Sequence, residues 1–247
     1  MTFFLCMMCW PAWLLAEPSG YLFISSEKDH VINVLDGESF KKVKDIPTAE
    51  RPRGMHFSPD RQRLYVACGD GDTIDVIDLQ KLEVVEQLDV GDDPERFDLS
   101  QDGRLLYASN EDDGLLTAFD LEKNAVLAEV EVGEEPEGVL ANPDGKTVYV
   151  ASEVANMVHV VNTKDWSLTA NIVVGNRPRR FALTPDGKEL WVTNEVSGTV
   201  SIIDTASNKI SDTIEFTPKG FRAEDITPVG LVMTADGSTA YVTMGSA

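Results

Sequence analysis

Cysteine is scarce in this sequence. Its 247 residues hold only Cys6, Cys9 and Cys68, and two of these stand within the first sixteen positions. The Cys6–Cys9 pair has the C-x-x-C spacing of redox and metal sites. Trp10, however, stands where c-type haem attachment needs His, and both cysteines lie in a segment expected to be removed. That leaves Cys68 alone, which excludes an internal disulfide and a thiolate metal cluster. Histidine is equally rare, at His30, His56 and His159. No H-E-x-x-H spacing and no G-x-S-x-G elbow occurs. His56 and His159 fall inside apolar runs, where a structural role is expected. Basic charge is also in deficit, with 21 Lys and Arg against 42 Asp and Glu and a net charge of -21. Such a balance repels phosphate backbones and anionic membrane surfaces, so neither nucleic acid nor membrane is an expected partner. Sustained 3.6-residue apolar periodicity is missing throughout, which argues against a helical fold.

One long uncharged run exists, MTFFLCMMCWPAWLLA at residues 1–16. It is too short to cross a bilayer as a helix and ends in Leu14-Leu15-Ala16 before Glu17. It reads as a secretory signal peptide cleaved after Ala16, although the usual Lys or Arg of the n-region is missing.

The remainder is a repeat. Pro52, Pro94, Pro136 and Pro178 stand 42 residues apart, and so do Asp60, Asp102, Asp144 and Asp186. Asp36, Asp78, Asp120, Asn162 and Asp204 keep the same interval. Within residues 136–175 the pattern is a short apolar run at Gly138 to Ala141, the turn Pro143-Asp144-Gly145, then β-branched runs at Thr147 to Ala151, Met157 to Val161 and Thr169 to Val174. Proline presets φ and glycine accepts a positive one, so Pro-Asp-Gly is a turn with a structural role. Four short strands per repeat of this length make one blade of an all-β propeller. In that architecture the strand after the repeat proline lines the central channel.

Blade 1 is partial, spanning 20–48 with strands at Tyr21 to Ser25, Val31 to Leu35 and Lys42 to Ile46. Full blades run from 49, and the last is cut at 247 after two strands. Pro178 to Pro228 is 50 residues, an insertion of eight. A complete ring of roughly seven four-stranded blades is expected, so 17–247 reads as a C-terminally truncated fragment of a propeller.

The segments LYVACGDGDTIDVIDL, TVYVASEVANMVHVVNT and LWVTNEVSGTVSIIDT resemble the YVTN family of β-propeller repeats. With the signal segment and GFRAEDITPVGL at 220–231, the chain is most similar to the PQQ-dependent catabolism-associated β-propeller proteins. That resemblance implies a periplasmic accessory to quinoprotein alcohol oxidation. The implied partner is a quinoprotein dehydrogenase or a transport-system component, and PQQ would enter only through the dehydrogenase. Fold relatives also include lactonases, so a lactonase-like or redox enzyme working at the channel mouth is the alternative.

Candidate site residues follow from the register. After the repeat prolines come Arg53, Glu95-Arg96, Glu137 and Arg179-Arg180, and the loops between second and third strands add Glu27, Glu111, Glu153 and Glu195. Acids and arginines alternating around a funnel suit a polar ligand or a cation held through oxygens. They equally suit pairing with one another between blades, since repeat duplication alone gives periodic placement. The insertion carries Phe221 and Arg222. These are an exposed anchor for a partner, or else Phe221 packs down and Arg222 satisfies Glu224 or a rim acid. No catalytic or metal-ligating set is identified.

Overall fold

A computed structural model describes residues 20–245, so the expected signal segment lies outside the described residues. Three strands come first: β1 (Tyr21–Ser26), β2 (Val31–Asp36) and β3 (Lys42–Pro47). The next sheet holds β4 (Pro52–Phe57), β5 (Arg63–Cys68), β6 (Thr73–Asp78) and β7 (Glu83–Leu88). It is followed by β8 (Pro94–Leu99), β9 (Leu105–Asn110), β10 (Leu115–Asp120) and β11 (Ala125–Glu131). Then come β12 (Pro136–Ala141), β13 (Thr147–Ser152), β14 (Met157–Asn162) and β15 (Leu168–Val173). The fourth full sheet is β16 (Pro178–Leu183), β17 (Glu189–Asn194), β18 (Thr199–Asp204) and β19 (Lys209–Glu215). A single 3-10 turn at Ala223–Asp225 lies in the inserted loop before the pair β20 (Pro228–Met233) and β21 (Ala240–Met244).

Every sheet is an antiparallel meander in chain order, each strand pairing with the next. The strands fall within one or two residues of the positions expected from the repeat.

The repeating aspartates are turn-makers. Asp60, Asp102, Asp144, Asp186 and Asp236 each accept the N–H two residues on, at 2.8–3.2 Å. In four of these turns a Ser or Thr hydroxyl two residues earlier also donates to the aspartate, at 2.6–2.8 Å. This is the local side chain to backbone bonding that favours turns over strand continuation. Gly103, Gly145, Gly187 and Gly237 follow with φ near +70°, and Arg61 takes the same left-handed place in the first of these turns. The aspartates and the asparagine that end the third strands accept N–H groups in the following turn in the same way.

The core lies between sheets. Ile32, Val34 and Ile46 of the first sheet pack on Leu64, Val66 and Ile77 of the second. Three further clusters repeat this packing down the series. Cys68 is buried in the first cluster, and burial, then the charge of Asp75, pushes its thiol up to about 12. It is an inert apolar filler. The innermost strands β4, β8, β12, β16 and β20 stand side by side around a common concave space.

Candidate functional site

The innermost strands begin irregularly, and that irregularity builds the site. Pairing with the second strand slips just after the repeat proline in all five sheets, between Pro52 and Met55, Pro94 and Arg96, Pro136 and Gly138, Pro178 and Phe181, and Pro228 and Leu231. A bulge of this kind re-aims side chains, here those one and two places past the proline. The residue before the proline is unusual as well. Arg51, Asp93, Glu135 and Arg177 all have φ between +43° and +57°, a conformation that costs a non-glycine residue about 1 kcal/mol or more. Side chains 21 residues earlier hold three of them there: Arg51 N–H donates to His30 Nδ1, Asp93 N–H to Asp72 Oδ1 and Arg177 N–H to Asn156 Oδ1, at 2.8–3.0 Å.

So presented, the rim charges form two nodes. In the first, Arg51 Nη2 donates to Glu95 Oε1 at 2.6 Å and Nη1 reaches Asp93 at 3.2 Å and Asp70 at 3.3 Å. Glu111 lies 4.0 Å from the same guanidinium, and Arg53 also bonds Glu95. Residue 69, where the register would place another glutamate, is Gly69. A Cβ there would strike Asp93 and Arg51. In the second node Arg177 donates to Glu153 at 2.5 Å and lies 3.4 Å from Glu195. Arg179 joins Glu153, Glu195 and Glu137, while Arg180 Nη1 donates to Glu137 Oε2 at 2.5 Å. Arg53, 3.7 Å from Glu137 and 3.6 Å from Glu27, connects the two nodes.

Glu95 is fully buried, and its Oε2 has no partner. Burial, the adjoining Glu111 and the charge of Glu137 push its carboxyl up to about 8, against the pull of Arg53 and Arg51. Glu137 is also buried, yet its carboxyl lies below the usual range because Arg180 and Arg179 outweigh the burial. Asp93, Glu95 and Glu111 are the group among the described residues whose carboxylate oxygens approach one another within 4.8 Å. Arg51 already contacts all three, and so stands where a metal cation would.

Of the expected site residues, Arg53, Glu111, Glu153, Arg179 and Arg180 are thus joined in ion pairs between blades, and Glu195 pairs with Arg177 and Arg179 of its own blade. Sequence reasoning passed over Arg51, Asp93 and Arg177, although the position before each proline keeps the 42-residue interval. Phe221 and Arg222 belong to the inserted loop. Arg222 is clamped by Asp225 at 2.7 and 2.8 Å and by Glu224 at 3.2 Å. Phe221 is half exposed beside a cleft with Phe216, Pro218 and Met244.

Arg96 behaves differently. Two places past the proline the residues alternate: Gly54, Arg96, Gly138, Arg180, Gly230. The arginine N–H groups are caught by hydroxyls of the second strand, Arg96 by Ser109 at 3.3 Å and Arg180 by Thr193 at 3.0 Å. The glycines admit their neighbours. A Cβ on Gly54 would sit 3.1 Å from Arg96 Cδ, and one on Gly138 would strike the Arg179 carbonyl. Arg96 and Arg180 therefore enter the concave space, a recess of about 370 Å³ also lined by Met55, His56, Phe97, Asp98 and Phe181. Among the ion pairs of the described residues Arg180 has Glu137, whereas Arg96 has no carboxylate, and its buried Nε lacks any hydrogen-bond acceptor. Burial, then the like charge of Arg180, lowers its pKa to about 10.

His56, expected to be structural, instead faces this recess half exposed, with Nε2 3.3 Å from Asp98 Oδ1. Its Nδ1 lies 2.8 Å from the Phe57 carbonyl. His159 is buried, with Nδ1 2.8 Å from Asn171 Oδ1 and Nε2 without a hydrogen-bond partner among the described residues.

Two propeller families match parts of the sequence: the cytochrome D1 heme domain over residues 19–112 and the YNCE-like beta-propeller over residues 140–223. No curated protein matches it. Among solved structures, Kuenenia stuttgartiensis hydrazine synthase superposes with a TM-score of 0.81 at 23% identity, over 90% of this chain and 70% of that one. A functionally unknown protein from Desulfotomaculum acetoxidans superposes with a TM-score of 0.78 at 17% identity, over 91% of this chain and 73% of that one. A haem iron takes an axial His, Cys, Met or Tyr. Both nitrogens of His56 already face oxygen atoms, and Cys68 is buried between sheets. The recess thus offers no free imidazole or thiolate among the described residues, and Met55 is its one thioether. Repeat, sheet topology and structural neighbours agree that the chain is an all-β propeller of four-stranded blades.

Proposed function

We propose that this propeller is a non-catalytic binding protein of the periplasm, an accessory to PQQ-dependent alcohol catabolism, which holds a small anion in its central recess. One observation carries the binding reading. Arg51, Arg53, Arg177, Arg179 and Arg180 each stand within ion-pair distance of an acid, while Arg96 stands in the recess with none at that distance among the described residues. A desolvated guanidinium with an unpaired N–H is a ready site for a carboxylate or phosphate. The cellular setting rests on the signal segment and the sequence resemblance. The partner, a quinoprotein dehydrogenase or transport component, would meet the rim or the half-exposed Phe221.

A second reading has its own observation. His56 and Asp98 form an imidazole–carboxylate pair in the same recess, the arrangement used for general acid–base work, and would serve a lactonase-like or redox enzyme. Calorimetry with small anions, alongside turnover assays on alcohols and lactones, separates the two. The binding reading expects saturable anion binding without turnover. Turnover that disappears in His56→Ala would replace it with the enzyme.

A further inference from the structure

The recess also carries information about the shape of its ligand, and this inference rests on the binding reading above. Its charged end is formed by Arg96, with Arg180 beside it. The remaining wall is mixed: Phe97, Val139, Leu140, Phe181 and Leu231 bring apolar surface from four adjacent blades, and the His56–Asp98 pair adds a polar edge. Arg180 is compensated by Glu137, to which Nη1 is bonded at 2.5 Å. Arg96, by contrast, has no carboxylate within ion-pair distance among the described residues, and its buried Nε has no acceptor.

We propose that the recess binds a small organic monocarboxylate, its carboxylate paired with Arg96 and its short apolar body lying against Phe97, Phe181 and Leu231. A single free guanidinium matches the two oxygens of a carboxylate in a bidentate fork. An inorganic phosphate or sulfate presents more oxygens and more charge than one uncompensated arginine can satisfy. It also has no apolar surface to set against the two phenylalanines. A neutral alcohol of equal length would bury the same body but leave the guanidinium as unpaired as before. The two-blade alternation supplies the room, because Gly54 lets the Arg96 stem lie flat across its backbone. The volume of about 370 Å³ is at the small end of ligand cavities, which sets an upper limit on chain length.

The test is isothermal titration of the full chain with acetate, butyrate, hexanoate and decanoate, and with sulfate, phosphate and 1-butanol. Affinity should rise about fourfold per methylene from acetate until the recess is filled, then fall by decanoate. Arg96→Gln should abolish carboxylate binding. Phe181→Ala should flatten the chain-length dependence while leaving acetate affinity within about twofold, which separates wall from charge. Phosphate or sulfate binding as tightly as butyrate, or hexanoate no tighter than acetate, would overturn the carboxylate assignment and leave anion binding intact. Absence of binding by every anion in the series would overturn the binding reading itself.

Discussion

Arg96→Met is the substitution for which the structure makes the least conventional forecast, since removing a charge there should strengthen the fold. The methionine keeps an unbranched stem to cross Gly54 and discards a guanidinium that burial and the like charge of Arg180 disfavour. Lowering its pKa from 12.5 to about 10 corresponds to a penalty on the order of 3 kcal/mol, at 1.36 kcal/mol per pH unit. Part of that is offset by altered packing of the sulfur, so a net stabilisation of about 1–3 kcal/mol is expected. For a domain of this size 1 kcal/mol moves Tm by roughly 2–4 °C. The sign holds across neutral pH: a cation with a depressed folded-state pKa destabilises the fold at every pH below about 10. Thermal unfolding followed by far-UV circular dichroism at pH 6, 7 and 8, without added ligand, should therefore show Tm raised by several degrees at each pH. A fall in Tm would mean that Arg96 is a structural cation with a partner, and the argument from its isolation would fail.

The paired charges should behave in the opposite way. Glu137→Gln leaves Arg180 without a buried partner, while Arg179 keeps Glu153, and should cost about 3–5 kcal/mol. Because the Glu137 pKa is depressed, its stabilisation is present above the unfolded value near 4.5 and lost as pH falls through the folded one. The gap between wild type and Glu137→Gln in denaturant melts should accordingly shrink below pH 4.5, and a constant gap would contradict the pairing. Glu95 has the reverse sign. Its pKa is raised from 4.5 to about 8, so its contribution is complete below pH 4.5 and lost as pH rises through 8. Relative to Glu95→Gln, the wild type should lose on the order of a few kcal/mol between pH 5 and 8, and parallel pH–Tm curves would refute the raised value.

The fold was legible because its markers are local. Proline, the turn aspartates and the β-branched runs act through φ restriction, side chain to backbone bonds and alternation, all of which a single sequence displays at a fixed interval. The rim was half legible. Glu111, Glu153 and Glu195 and the residues after the prolines kept the register, whereas Arg51, Asp93 and Arg177 reach the acids through a left-handed backbone that their residue types do not announce. That Arg96 is unpaired and Arg180 paired was invisible, since both follow a proline at the same offset. The difference arises between blades: Glu137 meets Arg180 from the preceding sheet, while the equivalent place before Arg96 is Arg53. His56 was misread for a similar reason. An apolar run suggested burial, but the innermost strand turns this side chain into the recess.

The account stands or falls on Arg96 as the centre of an anion site. Titration of butyrate into the wild type and into Arg96→Gln at matched ionic strength addresses it most directly. The account predicts one saturable site in the wild type and none in the variant, whose fold and Tm remain at least as good. Equal binding by both proteins would contradict it.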